Sequence, residues 1–239
     1  RRYVEAGLLS VRNIDLRRVV RYKPRKKHLN PAPAEGKAGH RYRDFVALLE
    51  QNPSLPVVEM DTVEGQHLDK NHLLTLYFRT SGLMLIFLLP SLETKSVIQV
   101  FDRLDQTLGT TNFRRLFPVI LTDNGTEFAH FRRLETSPSG ETRTCIFFCD
   151  ARMSGQKGAL EHNHAYIRCV LPKGESFDFL TDALVKRLEN NINSTGRPAT
   201  GMTPHALAVA SFGSDLVEAL GLELIPPDEV TLTRALLTR

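Results

Sequence analysis

The sequence has no tryptophan, only three cysteines and no apolar run long enough to cross a bilayer. Each shortage excludes something. Without Trp, and with five scattered tyrosines, a platform for stacking bases is unsupported. Three cysteines, an odd number in 239 residues, argue against a disulfide framework and for a reducing, cytoplasmic setting. The longest apolar run, LMLIFLLP at 83–90, has strand length. A spanning helix needs roughly 18 such residues, so no membrane partner is expected. No glycine-rich loop of the P-loop type occurs, and nucleotide hydrolysis is not indicated. The chain starts RRYVEAGLLS, with neither an initiator Met nor a secretory apolar segment, and reads as a piece of a longer protein.

What is present is an ordinary globular composition, 41% hydrophobic and 24% charged. The net charge of +4 hides an asymmetry. Residues 1–43 hold 13 Lys/Arg against 3 Asp/Glu, and the remainder 18 against 24. A basic arm on an acidic body suits a protein that meets nucleic acid. The arm is densest at RYKPRKK, where Arg21, Lys23, Arg25, Lys26 and Lys27 are candidates for phosphate contact. A solvated tail is the plainer alternative. Residues 17–40 read as a flexible linker and 1–16 as the tail of a small helical domain upstream.

Beyond the linker the pattern becomes periodic. RYRDFVALLEQNP (41–53) predicts a short amphipathic helix ending before Pro53. Runs at 55–63, 72–80 and 83–90 are strand-like, the last two joined by Ser-Gly as a two-residue hairpin. Val97, Phe101, Leu104 and Leu108 place a helix over 94–109. LFPVILTD (116–123) is apolar on both faces, as a central parallel strand would be. RTCIFFCD (143–150) is a fifth strand, followed by helices over about 157–170 and 178–194. The order β-β-β-α-β-α-β-α-α predicts an α/β fold: a five-stranded mixed sheet flanked by helices, the ribonuclease-H-like layout.

Three acids stand out. LTDNGTEF puts Asp123 at the tip of the fourth strand, directly before an Asn-Gly turn expected to use positive φ. Open α/β folds build their sites at that edge. A simple capping aspartate is the alternative. VVEMDTVEG places Asp61 near the end of the first strand, next to the fourth in this layout. Two adjacent carboxylates repel unless a cation lies between them, and Mg²⁺ or Mn²⁺ suits oxygen ligands. Glu59 points to the same strand face and is a rival; Asp61 is preferred because it lies nearer the strand's end. Glu161, on the helix after the last strand, is the third candidate. Lys157, His164 and Arg168 fall on its side of that helix and Leu160, Ile167 and Leu171 on another. Charge pairs on a structural helix would look the same. Cys145, Cys149 and Cys169, with His162 and His164, lack zinc-site spacing and are read as buried thiols.

Together VVEMDTVEG, VILTDNGTEF and QKGALEHNHAYIRCVLPKG, with NNINSTGRPATGMTPHALA behind them, resemble the catalytic half of insertion-sequence transposases of the IS-thirty group. That group belongs to the retroviral-integrase-like superfamily, named for its Asp-Asp-Glu triad. The resemblance runs from about residue 40 to the C-terminus. It implies an integrase-type catalytic core at 41–215, a C-terminal appendage at 216–239 and a basic arm and linker at 1–40. It implies a DNA transposase that cuts element ends and joins them to target DNA. Asp61, Asp123 and Glu161 would be both catalytic residues and ligands of two Mg²⁺ or Mn²⁺ ions. Lys157, His164, Arg168 and Lys173 would contact DNA. Double-stranded DNA and a homo-oligomer are the implied partners, at a bacterial nucleoid. A nuclease that cuts without joining, and an inactive DNA-binding or oligomerisation module, are the alternatives. The chain departs from the pattern at Gly155, where relatives often carry an aromatic residue. The helix-turn-helix domain of such proteins would lie upstream, with only its trailing edge in residues 1–16.

Overall fold

The computed structural model describes residues 35–151 and 153–237. The basic run from Arg21 to Lys27, and residues 1–34 generally, lie outside them. From Lys37 onward the chain forms one unit. Its elements are α1 (Tyr42–Gln51), β1 (Val57–Val63), β2 (His72–Phe78), β3 (Met84–Leu89), α2 (Thr94–Leu108), α3 (Thr110–Leu116), β4 (Val119–Thr122), α4 (Phe131–Glu135), β5 (Cys145–Phe148), α5 (Gly158–Val170), α6 (Asp182–Ser194), α7 (Pro204–Phe212) and α8 (Ser214–Ala219).

The five strands form one mixed sheet in the order β3-β2-β1-β4-β5. β1, β2 and β3 are antiparallel, and β4 lies parallel to both β1 and β5. This is the ribonuclease-H-like layout. Alternation along the strands assigns the faces. On one face Val58, Met60, Ile120, Ile146 and Phe148 meet α2, α3 and the C-terminal helices through Phe101, Phe113 and Val217. On the other, Val63, Leu73 and Ile86 meet α5 and α6 through Leu160, Ile167 and Leu188. A smaller group, Val57, Val119, Leu121 and Phe147, meets α1 through Phe45. Each such aromatic or branched side chain stabilises by about 1.5–3 kcal/mol on leaving water.

The expected two-residue hairpin is longer. Phe78 N–H donates to Leu83 O at 2.8 Å, closing a four-residue loop, Arg79 to Gly82. Gly82 has φ of 69°, which a side chain would oppose. Ser81 Oγ accepts from Leu83 N–H inside the loop. The strand expected from 116 begins at Val119, because Thr110–Leu116 forms α3. Helices α7 and α8, absent from the predicted order, cover the end of the chain. The segment expected as an appendage starts within α8, and Leu220, Leu222, Leu236 and Leu237 are buried in the main clusters. The expected linker is ordered at its end, where His40 O accepts from Phe148 N–H at 2.8 Å.

Both sheet edges are closed by side chains. On β3, Asn193 of α6 accepts from Met84 N–H at 2.9 Å and donates to Met84 O at 2.8 Å. One helical turn back, Glu189 accepts from Ile86 N–H. On β5, Glu135 accepts from Ile146 N–H at 2.8 Å, and His40 Nδ1 meets Ile146 O at 2.7 Å. Bare edge strands invite pairing with other chains, and these contacts remove the template.

Candidate active site

The β1–β4 register pairs Val57 with Val119 and Glu59 with Leu121. Continued by two residues, it sets Asp61 level with Asp123, one residue past β4. Odd-numbered side chains of both strands lie on the sheet face that α1 and α5 cover. Asp61 and Asp123 therefore stand side by side on one face at the carboxyl edge of the sheet.

Their hydrogen bonds match. Each aspartate commits Oδ1 to a backbone N–H, Asp61 to Thr62 at 2.9 Å and Asp123 to Gly125 at 3.0 Å. Each turns Oδ2 to Lys157, whose Nζ lies 3.2 Å from Asp61 and 3.6 Å from Asp123. The same Nζ donates to Met60 O at 3.2 Å, and Lys157 is 5% exposed. Burial raises the pKa of Asp61; Lys157 lowers it and Asp123 raises it further. Asp61, Asp123, Cys149, Asp150, Met153, Lys157 and Glu161 line one cavity of about 210 Å³. Glu161 is exposed at its rim. Among the described residues, the donor atoms of Asp61, Asp123 and Glu161 are not all within 4.8 Å of one another. Those of His40, Glu135 and Cys145 are, but there His40 and Glu135 serve the backbone of β5.

The rival acid is occupied elsewhere. Glu59 is 1% exposed, with Oε1 2.6 Å from Arg79 Nε. Its Oε2 accepts from Leu160 N–H at 2.8 Å, satisfying a donor in the first turn of α5. Arg79 also donates to Gln156 O at 3.1 Å. Arg79 and Glu59 thus fasten both ends of the short segment that carries Lys157. The preceding loop is closed by Gln156, which accepts from Asp150 N–H and donates to Asp150 Oδ2.

The Asn-Gly turn works differently from expectation. Gly125 has φ of −56°, which any residue adopts. A Cβ there would instead lie 2.3 Å from Glu127 Oε2. Glu127 is buried and accepts from Thr62 Oγ1 at 2.8 Å. Glycine is needed for close approach, and Glu127 ties the turn to β1.

The helix face was also misassigned. Lys157 and His164 share the inward stripe of α5 with Leu160, Ile167 and Leu171, at spacings of three and four. His164 Nε2 lies 2.9 Å from Thr75 Oγ1 on β2. Burial pushes its pKa down to about 4, aided by Lys157 and Arg168, so the imidazole is neutral. It packs on the sheet through Thr75, whereas the sequence reading has it as a DNA contact. Arg168 is half-buried; its Nη2 donates to Glu64 O at 3.0 Å and its guanidinium lies over Phe177. Lys173 is exposed beyond the helix. Of the thiols, Cys149 is buried, Cys145 half-buried and Cys169 exposed, against the expectation of three buried ones. Burial pushes Cys149 up to about 11, so the thiol in the cavity stays neutral.

Three contributors escaped the sequence reading. Asp150 ends the fifth strand run as Asp123 ends the fourth, and the same rule would have found it. Lys37, inside the supposed linker, donates to Asn124 Oδ1 at 3.0 Å and lies over Phe148. Met153 offers an exposed apolar side chain at the cavity. No sequence signal marks either of these two.

No family model matches the chain. The transposase for insertion sequence element IS4351 of Bacteroides fragilis is 28% identical over 149 residues, 62% of this chain and 43% of that protein. A protein described as an integrase, ORF3 of Spiroplasma virus SpV1-R8A2 B, is 27% identical over 141 residues, 59% of this chain and 41% of its own length. The match thus spans less than half of either relative. Among solved structures, the catalytic core of BIV integrase covers 65% of this chain and 94% of its own, with 19% identity and a TM-score of 0.45. The HTLV-2 integrase core in complex with magnesium covers 63% and 94%, with 15% identity and a TM-score of 0.40. By sequence, about three fifths of the chain is similar to a transposase of an insertion sequence element and to a protein described as an integrase.

Proposed function

We propose that this chain carries the catalytic half of a DNA transposase, which cuts element ends and joins them to target DNA. One observation carries the proposal: Asp61 and Asp123 stand level on neighbouring parallel strands and turn one oxygen each to a single buried cation, Lys157 Nζ. A cationic position between two carboxylates is therefore built into the fold, and Glu161 lines the same cavity. Hard oxygen donors suit Mg²⁺ or Mn²⁺. Two ions held by Asp61, Asp123 and Glu161 would stabilise the attacking and leaving oxygens of an in-line phosphoryl displacement.

The chain's own residues supply position and charge. The Thr62 and Gly125 amides fix the two aspartates on rigid backbone. Glu59 and Arg79 fix the helix that presents Glu161. Lys173, Arg168 and Lys157 would meet phosphates beside the cavity, and Arg21, Lys23, Arg25, Lys26 and Lys27 would add salt-sensitive, sequence-blind affinity. His164 takes no part at the DNA in this scheme. Assembly as a homo-oligomer is part of the proposal. Among the described residues no helix is long and apolar enough to cross a membrane.

The test uses supercoiled plasmid and a labelled duplex with a free 3′-hydroxyl, in Mn²⁺. Label joined to plasmid supports strand transfer. Nicking without joining would reduce the protein to a nuclease, and neither product would leave an inert binding module.

A further inference from the structure

We propose that Lys157 is an internal counter-ion, holding the place between Asp61 and Asp123 until divalent cations arrive and swinging out when they do. The inference rests on the proposed function and adds a regulation of its site. Lys157 Nζ has three oxygen partners at 3.2–3.6 Å: Asp61 Oδ2, Asp123 Oδ2 and Met60 O. The two aspartate oxygens are those left over after both Oδ1 atoms have taken backbone N–H groups. A cation bound by the aspartates would therefore need the oxygens that Lys157 holds. The ammonium and a metal ion would compete for the same two Oδ2 atoms, and weakened solvent screening in the partly buried site adds their mutual repulsion to that competition.

The surroundings permit an exchange. Gln156 O and Leu160 N–H are fastened to Arg79 and Glu59, so the backbone on either side of Lys157 can stay fixed while the side chain turns. Lys157 lines the same cavity of about 210 Å³ as Glu161, so its side chain has a space to turn into. A turned-out Lys157 would lie beside Glu161 at the cavity rim, where a DNA phosphate would enter. Loading would then deliver a phosphate-binding charge only once the cations are in place. The separation of Glu161 from the two aspartates belongs to the same state: with an ammonium already between them, nothing draws the third acid inward.

Amine-reactive labelling of the unmodified full chain, read by mass spectrometry, tests this without any substitution. Lys157 should react slowly alone and several-fold faster when Mn²⁺ is added. Calorimetric Mn²⁺ titration adds a second readout. Lys157→Met should bind Mn²⁺ about tenfold more tightly than the parent, since no like charge must be expelled, and Lys157→Arg should not. Mn²⁺ binding that leaves Lys157 protected, or equal affinity in parent and Lys157→Met, would overturn this inference alone. Absence of Mn²⁺ binding in the parent, or binding that survives Asp61→Asn and Asp123→Asn, would overturn the proposed function and the inference together.

Discussion

Glu59 and Asp61 leave the same face of β1 two residues apart, yet they meet opposite surroundings. Glu59 is enclosed: an arginine takes one oxygen and a helix amide the other. Asp61 opens to a cavity, with one oxygen on an amide and the other on a lysine that can be displaced. The difference comes from depth along the strand. Below the sheet's carboxyl edge, α5 covers Glu59 and every oxygen must find a fixed partner. At the edge the covering helix begins, and a carboxylate can face an exchangeable one. The comparison teaches that a side chain's function is set less by its type or face than by whether its partners are permanent.

Substitutions separate the two acids, beginning with the largest effect. Asp123→Asn, or Asp61→Asn, should abolish Mn²⁺-dependent nicking while leaving DNA affinity and fold nearly intact. Parent-like nicking by purified mutant protein would dissolve the contrast. Glu59→Gln should instead lower stability, by about 2–3 kcal/mol in chemical denaturation, because Arg79 loses a largely buried partner. Its Mn²⁺ affinity should change little, and a large loss would place Glu59 among the ligands. Gly125→Ala should cost about 1–2 kcal/mol by displacing Glu127 from Thr62, with a smaller fall in activity.

Glu189 sharpens the contrast from a fully buried position. Burial raises its pKa to about 7, against the lowering effect of Lys186. A raised acid holds its proton more firmly when folded, so its contribution to stability is full below about pH 4.5 and lost as pH rises through about 7. Denaturation midpoints should fall across that window in the parent and flatten in Glu189→Gln. An equal slope in both would assign the pH dependence elsewhere.

Much of the sheet was legible because its signals are local. Apolar runs, their alternation and the acids at strand ends depend on neighbours in sequence, and all five strands follow from them. The Asp61–Asp123 juxtaposition was legible too, since it needs only strand order. The position of Lys157 was not. Helical spacing groups residues by angle but leaves open which angle faces the sheet, and Leu160 and Ile167 flank Lys157 and His164 on one side as Glu161 does on the other. Gly125 was recognised as necessary for the wrong reason, because the crowding comes from a side chain fixed by a hydroxyl on another strand. Helix α3 hid behind Gly109, which ends one helix and begins the next.

The side chains that seal β3 and β5 limit how copies of this protein can grow together. With Asn193 and Glu189 holding Met84 and Ile86 on one margin, and His40 and Glu135 holding Ile146 on the other, the outer strands among the described residues offer a neighbour fewer free backbone groups. Assembly by strand addition is thereby disfavoured. Truncating Asn193 would unlock a route to fibrous precipitation that the intact fold denies.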